Sequence, residues 1–156
     1  MKIIIQPTLS SCGPTSIVNI GFKRNLSLDL NEIKRMCKTD RNGTYDLHFE
    51  KTLSKFFKYN KKYYKKFSDL KKDLLKNDII LGYEYDLPNG EVEGHYITCS
   101  LKKNQVIGHN FYYNKDAHKI NYKNRAKYLK KNLVLNEKEF KKYRNIVAYL
   151  IKKDSI

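Results

Sequence analysis

The chain has 156 residues, a length that suits one domain with its own core, so 1–156 is read as a single unit. Three cysteines are too sparse for a disulfide framework, which leaves free thiols and a reducing compartment such as the cytoplasm, or the virion or host cytoplasm for a viral protein. The net charge of +16 invites an acidic partner, but the excess sits in residues 51–80 and 112–156, while 1–50 and 81–111 are close to neutral.

Taken in chain order, Met1 to Ile5 carries one lysine and three isoleucines, too short an apolar run for a signal peptide. No later run approaches the roughly 20 apolar residues that span a bilayer, so no membrane insertion is expected. Ile3 to Ile5 enters the core and Gln6-Pro7 leads into a loop. Cys12-Gly13-Pro14 then opens a helix whose apolar residues Ile17, Val18, Ile20 and Phe22 fit burial. Pro14 suits a first turn, where its missing N–H costs nothing.

Asp29 with Glu32 three residues on predicts a second helix, with Leu30, Ile33 and Met36 on one face and an end near Thr39. Asp46 is placed to cap a third, carrying Phe49, Leu53, Phe56 and Phe57 on one stripe. Lys58 to Lys66 alternates lysine with tyrosine, a pattern that either stacks on bases or covers the domain with amphipathic side chains. Ser68-Asp69 opens a fourth, short helix with Leu70, Leu74 and Leu75 inward.

After Asn77 the character changes. Residues 79–85 read as a strand, 86–90 as a turn, and 95–101 and 105–111 as strands joined by a tight turn at Lys102-Lys103. The stretch 112–143 is basic and irregular, with a short helix after Asn136, and Asn145 to Ile151 closes the sheet. Helices first and an antiparallel sheet after is an α+β arrangement.

A cysteine at a helix N-terminus is a nucleophile candidate, because the helix dipole and free N–H groups favour its thiolate. Gly13 removes bulk beside Cys12, so that a substrate backbone can approach. Acyl transfer also needs donors for the developing oxyanion, and Gln6 is a natural side-chain donor. With the hairpin turn centred between Lys102 and Lys103, His95 lies directly opposite Asn110, and the amide can orient the imidazole toward the thiol. A slip of one residue puts His109 there instead.

Gln6, then Cys12-Gly13-Pro14-Thr15 opening a helix, then Gly94-His95-Tyr96-Ile97 opening a strand, then Asn110, resembles the papain-like bacteriocin-processing (double-glycine) peptidase family and its stand-alone relatives. The resemblance covers roughly residues 1–111 and the final strand. It implies a papain-like fold, N-terminal helices packed on a C-terminal antiparallel sheet, with Gln6 as oxyanion donor, Cys12 as nucleophile, His95 as base and Asn110 as third member. Many members carry Asp-Pro at the last position, where this chain has Asn110-Phe111.

The function expected is a cysteine peptidase acting on a protein or peptide, with amine or thiol acceptors making it a transferase or deamidase instead. The alternative is an inactive peptidase-like module that holds nucleic acid or an acidic protein on its lysines. Lysine-rich composition with abundant Asn, Tyr and Ile is also what AT-rich coding produces, so a merely solvated surface stays open. Cys37 and Cys99 read as packing residues and His48 and His118 as surface residues. No cofactor is called for, since a zinc site from the three cysteines and a histidine lacks a close ligand pair.

Overall fold

The run Ile79-Ile80-Leu81 lacks polar alternation, as a strand covered on both faces should, and the computed structural model, which describes residues 2–153, builds the fold around it. Among the described residues six strands form one antiparallel sheet: β1 (Asn60–Tyr63), β2 (Asn77–Asp86), β3 (Val92–Lys102), β4 (Gln105–His109), β5 (Leu133–Val134) and β6 (Arg144–Lys152). Their order is β1-β6-β2-β3-β4-β5. The single-domain reading of 1–156 also takes in Met1 and 154–156, which lie outside the described residues.

Period-two alternation sorts the side chains of β2 between two cores. Ile79, Leu81, Tyr83 and Tyr85 join Ile97, Cys99, Val106 and Phe111 on one face. Ile80 joins Ile17, Ile20, Phe49, Leu53, Tyr96 and Tyr149 on the other. Helices α1 (Cys12–Lys23), α2 (Leu30–Met36) and α3 (Asp46–Phe56) cover the second face. The first is covered by α4 (Phe67–Asp73) and by the excursion 110–143, which carries α5 (Arg125–Tyr128) and α6 (Glu137–Phe140). This is the α+β architecture expected, helices packed against an antiparallel sheet.

Capping follows the sequence at α2, where the Asp29 carboxylate accepts from Glu32 N–H at 3.2 Å, and at α6, where Asn136 Oδ1 accepts from Glu139 N–H at 2.8 Å. It departs at α3. Tyr45 is the N-cap there, and Asp46, already inside the helix, uses its carboxylate to accept from the Tyr96 hydroxyl. Two inward assignments also fail: Leu75 is 65% exposed, because α4 ends before it, and Ile5 is 41% exposed, because its neighbours Ile3 and Ile4 take the inner side. The lysine–tyrosine stretch forms the edge strand β1, all of it exposed, and Tyr64 just beyond enters the core. Lysines on an edge discourage strand addition from another chain.

The β3–β4 hairpin turns one residue later than expected. Lys103 and Asn104 take the left-handed conformation (φ 50° and 63°), Lys102 pairs with Gln105, and pairing stops at Thr98 opposite His109. Asparagine tolerates positive φ better than lysine, which centres the turn on 103–104. His95 therefore has no partner in β4. Near the hairpin's end Phe111 folds back over Gly108, where a Cβ would lie 2.6 Å from the ring. Gly108→Ala should accordingly cost about 1–3 kcal/mol, read as a lowered urea midpoint with unchanged slope.

Candidate active site

Cys12 opens α1 out of a short 3₁₀ turn, Leu9–Ser11, in which Ser11 Oγ donates to the Thr8 carbonyl at 2.9 Å and accepts from Thr8 N–H at 3.2 Å. Every residue from Gly13 to Gly21 is buried, so this helix is held by packing on both sides rather than by amphipathicity. Gly13 has a structural reason different from substrate approach. A Cβ there would meet the Phe49 ring at 3.3 Å and the Tyr96 ring at 3.5 Å, so glycine lets the first turn sit against α3 and β3.

Two effects compete at the Cys12 thiol. Burial, reinforced by the negative charge of Glu93, pushes the thiol up to about 11 and outweighs the N–H groups of Tyr96, Gly13 and Cys12 itself, which favour the thiolate. At the neighbouring His95, burial holds the imidazole down to about 4, against the pull of the one hydrogen bond it donates to the Asn110 carbonyl. A thiol and a neutral imidazole are thus the resting pair. Because a carbonyl can only accept, the 2.7 Å contact between His95 Nε2 and the Asn110 carbonyl puts the proton on Nε2 and leaves Nδ1 with its lone pair. Cys12 and His95 line one cleft of about 540 Å³, together with Leu9, Thr44, Gly82, Gly94, Tyr96 and Tyr122.

Asn110 meets His95 through its backbone, not through its amide. It sits just past β4 with φ 69°, donates its N–H to the Lys130 carbonyl at 2.9 Å, and sends its side chain to the N-terminal segment. Oδ1 accepts from Gln6 N–H at 2.9 Å and Nδ2 donates to the Ile4 carbonyl at 2.8 Å. Asn19, buried in α1, grips the same segment through Ile4 N–H at 2.9 Å and the Ile4 carbonyl at 3.2 Å. The opposed His95–Asn110 side-chain pair expected from the hairpin is therefore replaced by a backbone contact, the physical cause being the later turn.

Gln6 is buried and is not among the residues that line the Cys12 cleft. Its Nε2 donates to the Thr8 carbonyl at 2.8 Å and, more weakly, to that of Leu9 at 3.4 Å. His109 stands apart from Cys12. Its Nδ1–H donates to the Lys131 carbonyl at 3.1 Å and its Nε2 accepts from Ser100, which in turn accepts from Lys23 Nζ at 2.7 Å. These groups belong to a second cleft of about 1120 Å³, lined by Lys2, Lys23, Arg24, Lys102, Lys131 and Lys153 with Asp78 as its acid. Cys37 and Cys99 are buried in opposite cores, and His118 is exposed. Among the described residues no group of three histidine, cysteine or acidic side chains is placed to hold a metal ion. Sequence reasoning missed Asn19, Tyr96, Glu84 and Glu93 at or around the site. Only Gly94, beside His95, signalled an opening there.

No family model and no curated protein matches the sequence. Solved structures that share the fold include two transporter peptidase domains. One is a double glycine motif protease from an AMS/PCAT transporter, determined in complex with the leader peptide, at 15% identity and a TM-score of 0.62 over 97% of this chain and 91% of that one. The other is the peptidase domain of Streptococcus ComA, a bi-functional ABC transporter involved in quorum sensing, at 15% identity and a TM-score of 0.64 over 97% and 98%. The resemblance read from Gln6, Cys12, His95 and Asn110 is thereby met at the level of the fold.

Asn110→Ala should cost about 2–5 kcal/mol, since it strands buried partners on Gln6 and Ile4 and forces a Cβ residue without a local hydrogen bond into left-handed backbone. Asn110→Asp, which keeps the acceptor for Gln6 N–H, should cost less when both are unfolded in urea. Both His95 and His109 are held below the ordinary 6.5 by burial. The unfolded chain therefore takes up protons that the fold refuses, and stability should fall as pH drops from 6.5 toward 5, by up to roughly 1.4 kcal/mol per pH unit for each histidine. His95→Gln should flatten part of that slope.

Proposed function

We propose that this protein is a cysteine peptidase that cleaves a peptide or isopeptide bond through a thioester on Cys12. The observation that carries the reading is the shared cleft of Cys12 and His95, with the imidazole proton committed to the Asn110 carbonyl and Nδ1 left as a base. Likeness of fold to peptidase domains supports it. The substrate is a peptide segment, a reading supported by the leader peptide bound in the complex of the transporter protease.

As the Cys12 sulfur bonds to the scissile carbonyl carbon, His95 Nδ1 takes the thiol proton. The oxyanion is held by N–H groups at the α1 N-terminus and by Gln6, whose long contact with Leu9 is the one given up at little cost. The C–N bond then breaks and Nδ1–H protonates the leaving amine. Water, deprotonated by Nδ1, attacks the thioester, and the carboxyl product leaves as sulfur regains its proton. Asn110 positions the imidazole by its carbonyl and contributes no carboxylate charge to the imidazolium. Transfer to an amine or thiol acceptor follows the same first half.

A second reading, a non-catalytic module binding nucleic acid or an acidic protein, draws on the lysine-lined second cleft. Binding of that kind should weaken steeply with salt and survive Cys12→Ala.

A peptidyl acylating probe should label Cys12, not Cys37 or Cys99, with labelling absent in Cys12→Ala and slowed about 10²–10⁴-fold in His95→Ala. Equal labelling of all three cysteines would sink the proposal. Activity should hold down to about pH 5 and fail as His95 protonates near 4, while alkylation of Cys12 by iodoacetamide should climb from pH 7 to 10 instead of reaching the early plateau of an ion pair.

A further inference from the structure

His109 has no part in the Cys12 cleft, and the later turn of the β3–β4 hairpin gives it a different neighbour. With Thr98 opposite His109 and Ser100 opposite Ile107, Ser100 and His109 are diagonal neighbours on one face of the sheet, within reach of a long side chain. Ser100 Oγ and His109 Nε2 are 2.9 Å apart. On the far side of the ring, Nδ1 is 3.1 Å from the Lys131 carbonyl and 2.8 Å from Asn132 Oδ1. A carbonyl can only accept, so the ring proton is on Nδ1, Nε2 carries the lone pair, and the Ser100 hydroxyl points its proton at it. Lys23, the last residue of α1, donates to the same Oγ at 2.7 Å. Ser100 thus offers its proton to a base while its oxygen faces a cation.

Other hydroxyls in the chain spend their protons on the backbone: Ser11 donates to the Thr8 carbonyl, Ser16 to Cys12, Thr52 to His48 and Ser54 to Lys51. Among the described residues Ser100 is the one whose hydroxyl meets an imidazole. The side chain of Lys23 is 7% exposed, so its charge acts on Oγ with little screening by water, and Asp78 at 3.8 Å favours its protonated form. Burial, with the charge of Lys23 behind it, holds His109 below the ordinary 6.5 and leaves a free base at neutral pH. Ser100 is half-buried and lines the second cleft, as Lys23, His109 and Asn132 do. The exposed Lys102 and Lys131 line it too and make the field there positive.

We propose that the second cleft is an esterase site, separate from Cys12, in which Ser100 is acylated by carboxylic esters with an anionic acyl chain. Nucleophile, base and a group that orients the base stand in the order such chemistry needs. As Ser100 Oγ bonds to the ester carbonyl carbon, His109 Nε2 takes the hydroxyl proton and the Lys23 ammonium faces the oxyanion. The C–O bond breaks, and the alcohol leaves with the proton from Nε2. Water then gives a proton to Nε2 and attacks the acyl carbon, and Ser100 regains its proton as the carboxylate product departs. Lys23 has a second effect: it opposes the imidazolium that must protonate the leaving group. Esters, whose leaving oxygen needs little help, are favoured by that balance over amides. Asn132 is a positioning residue, holding the ring from Nδ1, and the exposed lysines attract the anionic acyl chain.

The test treats the full chain with an alkyl fluorophosphonate, which forms an Oγ–P bond and expels fluoride, and maps the product by mass spectrometry. Ser100 should be modified in the wild type and equally in Cys12→Ala, and roughly 10²–10⁴-fold more slowly in His109→Gln. In parallel, the monoanionic 4-nitrophenyl succinate should be hydrolysed about two- to fivefold faster than 4-nitrophenyl acetate, an advantage that shrinks in high salt. Hydrolysis should survive Cys12→Ala and vanish in Ser100→Ala. Asn132→Ala should lower kcat at unchanged KM and move the acid limb of kcat/KM to lower pH, which a merely structural role would not do. An unmodified Ser100 in the folded wild type, with a serine esterase in the same tube fully labelled, would overturn the proposal whether or not Ser100→Ala folds. So would labelling as fast in His109→Gln as in the wild type, or hydrolysis that persists in Ser100→Ala and is lost in Cys12→Ala. Equal rates for the two esters at low salt would overturn the anionic acyl class.

Discussion

One asparagine ties together the parts that must meet for any chemistry to occur. Asn110 ends β4 in left-handed backbone, which frees its carbonyl for His95 and turns its amide toward Ile4 and Gln6. Asn19 takes hold of the same Ile4 from within α1, the helix that begins at Cys12. An extended segment with no place in the sheet thus gains side-chain amides in place of a neighbouring strand, and buried backbone groups are satisfied that would otherwise cost free energy. The helix that begins at Cys12 and the strand that carries His95 are held in common through that segment. A residue that oriented the imidazole by its side chain alone could not also brace the N-terminus.

Electrostatics around the cleft are settled more by burial than by the helix terminus. Three N–H groups act on Cys12, and they lose to desolvation, just as one carbonyl loses to desolvation at His95. Both members of the pair are neutral for the same reason. In the mechanism proposed above, the cost of charging them is met only when the thiol proton passes to the imidazole during attack, so that charge appears where substrate has displaced water. At the other end of α1 the arrangement is opposite in sign: Lys23, Arg24 and Asp78 form a partly buried ion-pair network that fastens the end of the helix to β2. The large positive charge of the chain is therefore not spread evenly over its two clefts.

The helices and most strands were legible because their signals are local. Buried apolar runs, the Asp29–Glu32 pattern and the asparagine at 136 each act within a few residues. Cys12 and His95 were legible as a pair because glycine and proline beside the one, and a strand start at the other, are unusual company for packing residues. The route from Asn110 to His95 was not, since it depended on which two residues turn the hairpin. Lys102-Lys103 and Lys103-Asn104 differ by a single position, but the second choice moves His95 beyond the ladder and exchanges an amide contact for a carbonyl one. Asn19 lay hidden inside a helix that reads as uniformly apolar, where a buried amide has meaning only once Ile4 is seen beside it. The cleft acids were missed for a related reason: without the sheet, Glu84 and Glu93 are nine residues apart with nothing to join them.

The protonated state of Cys12 bears also on the life of the protein between encounters. Peroxide and related oxidants attack thiolate, and a thiol with its pKa near 11 is ionised at neutral pH to only about one part in ten thousand. Cys12 is consequently slow to become sulfenic acid, and with Cys37 and Cys99 enclosed in separate cores it has no resolving thiol at hand. For the peptidase proposed above, reactivity arrives with the substrate, and durability toward oxidation lasts until then.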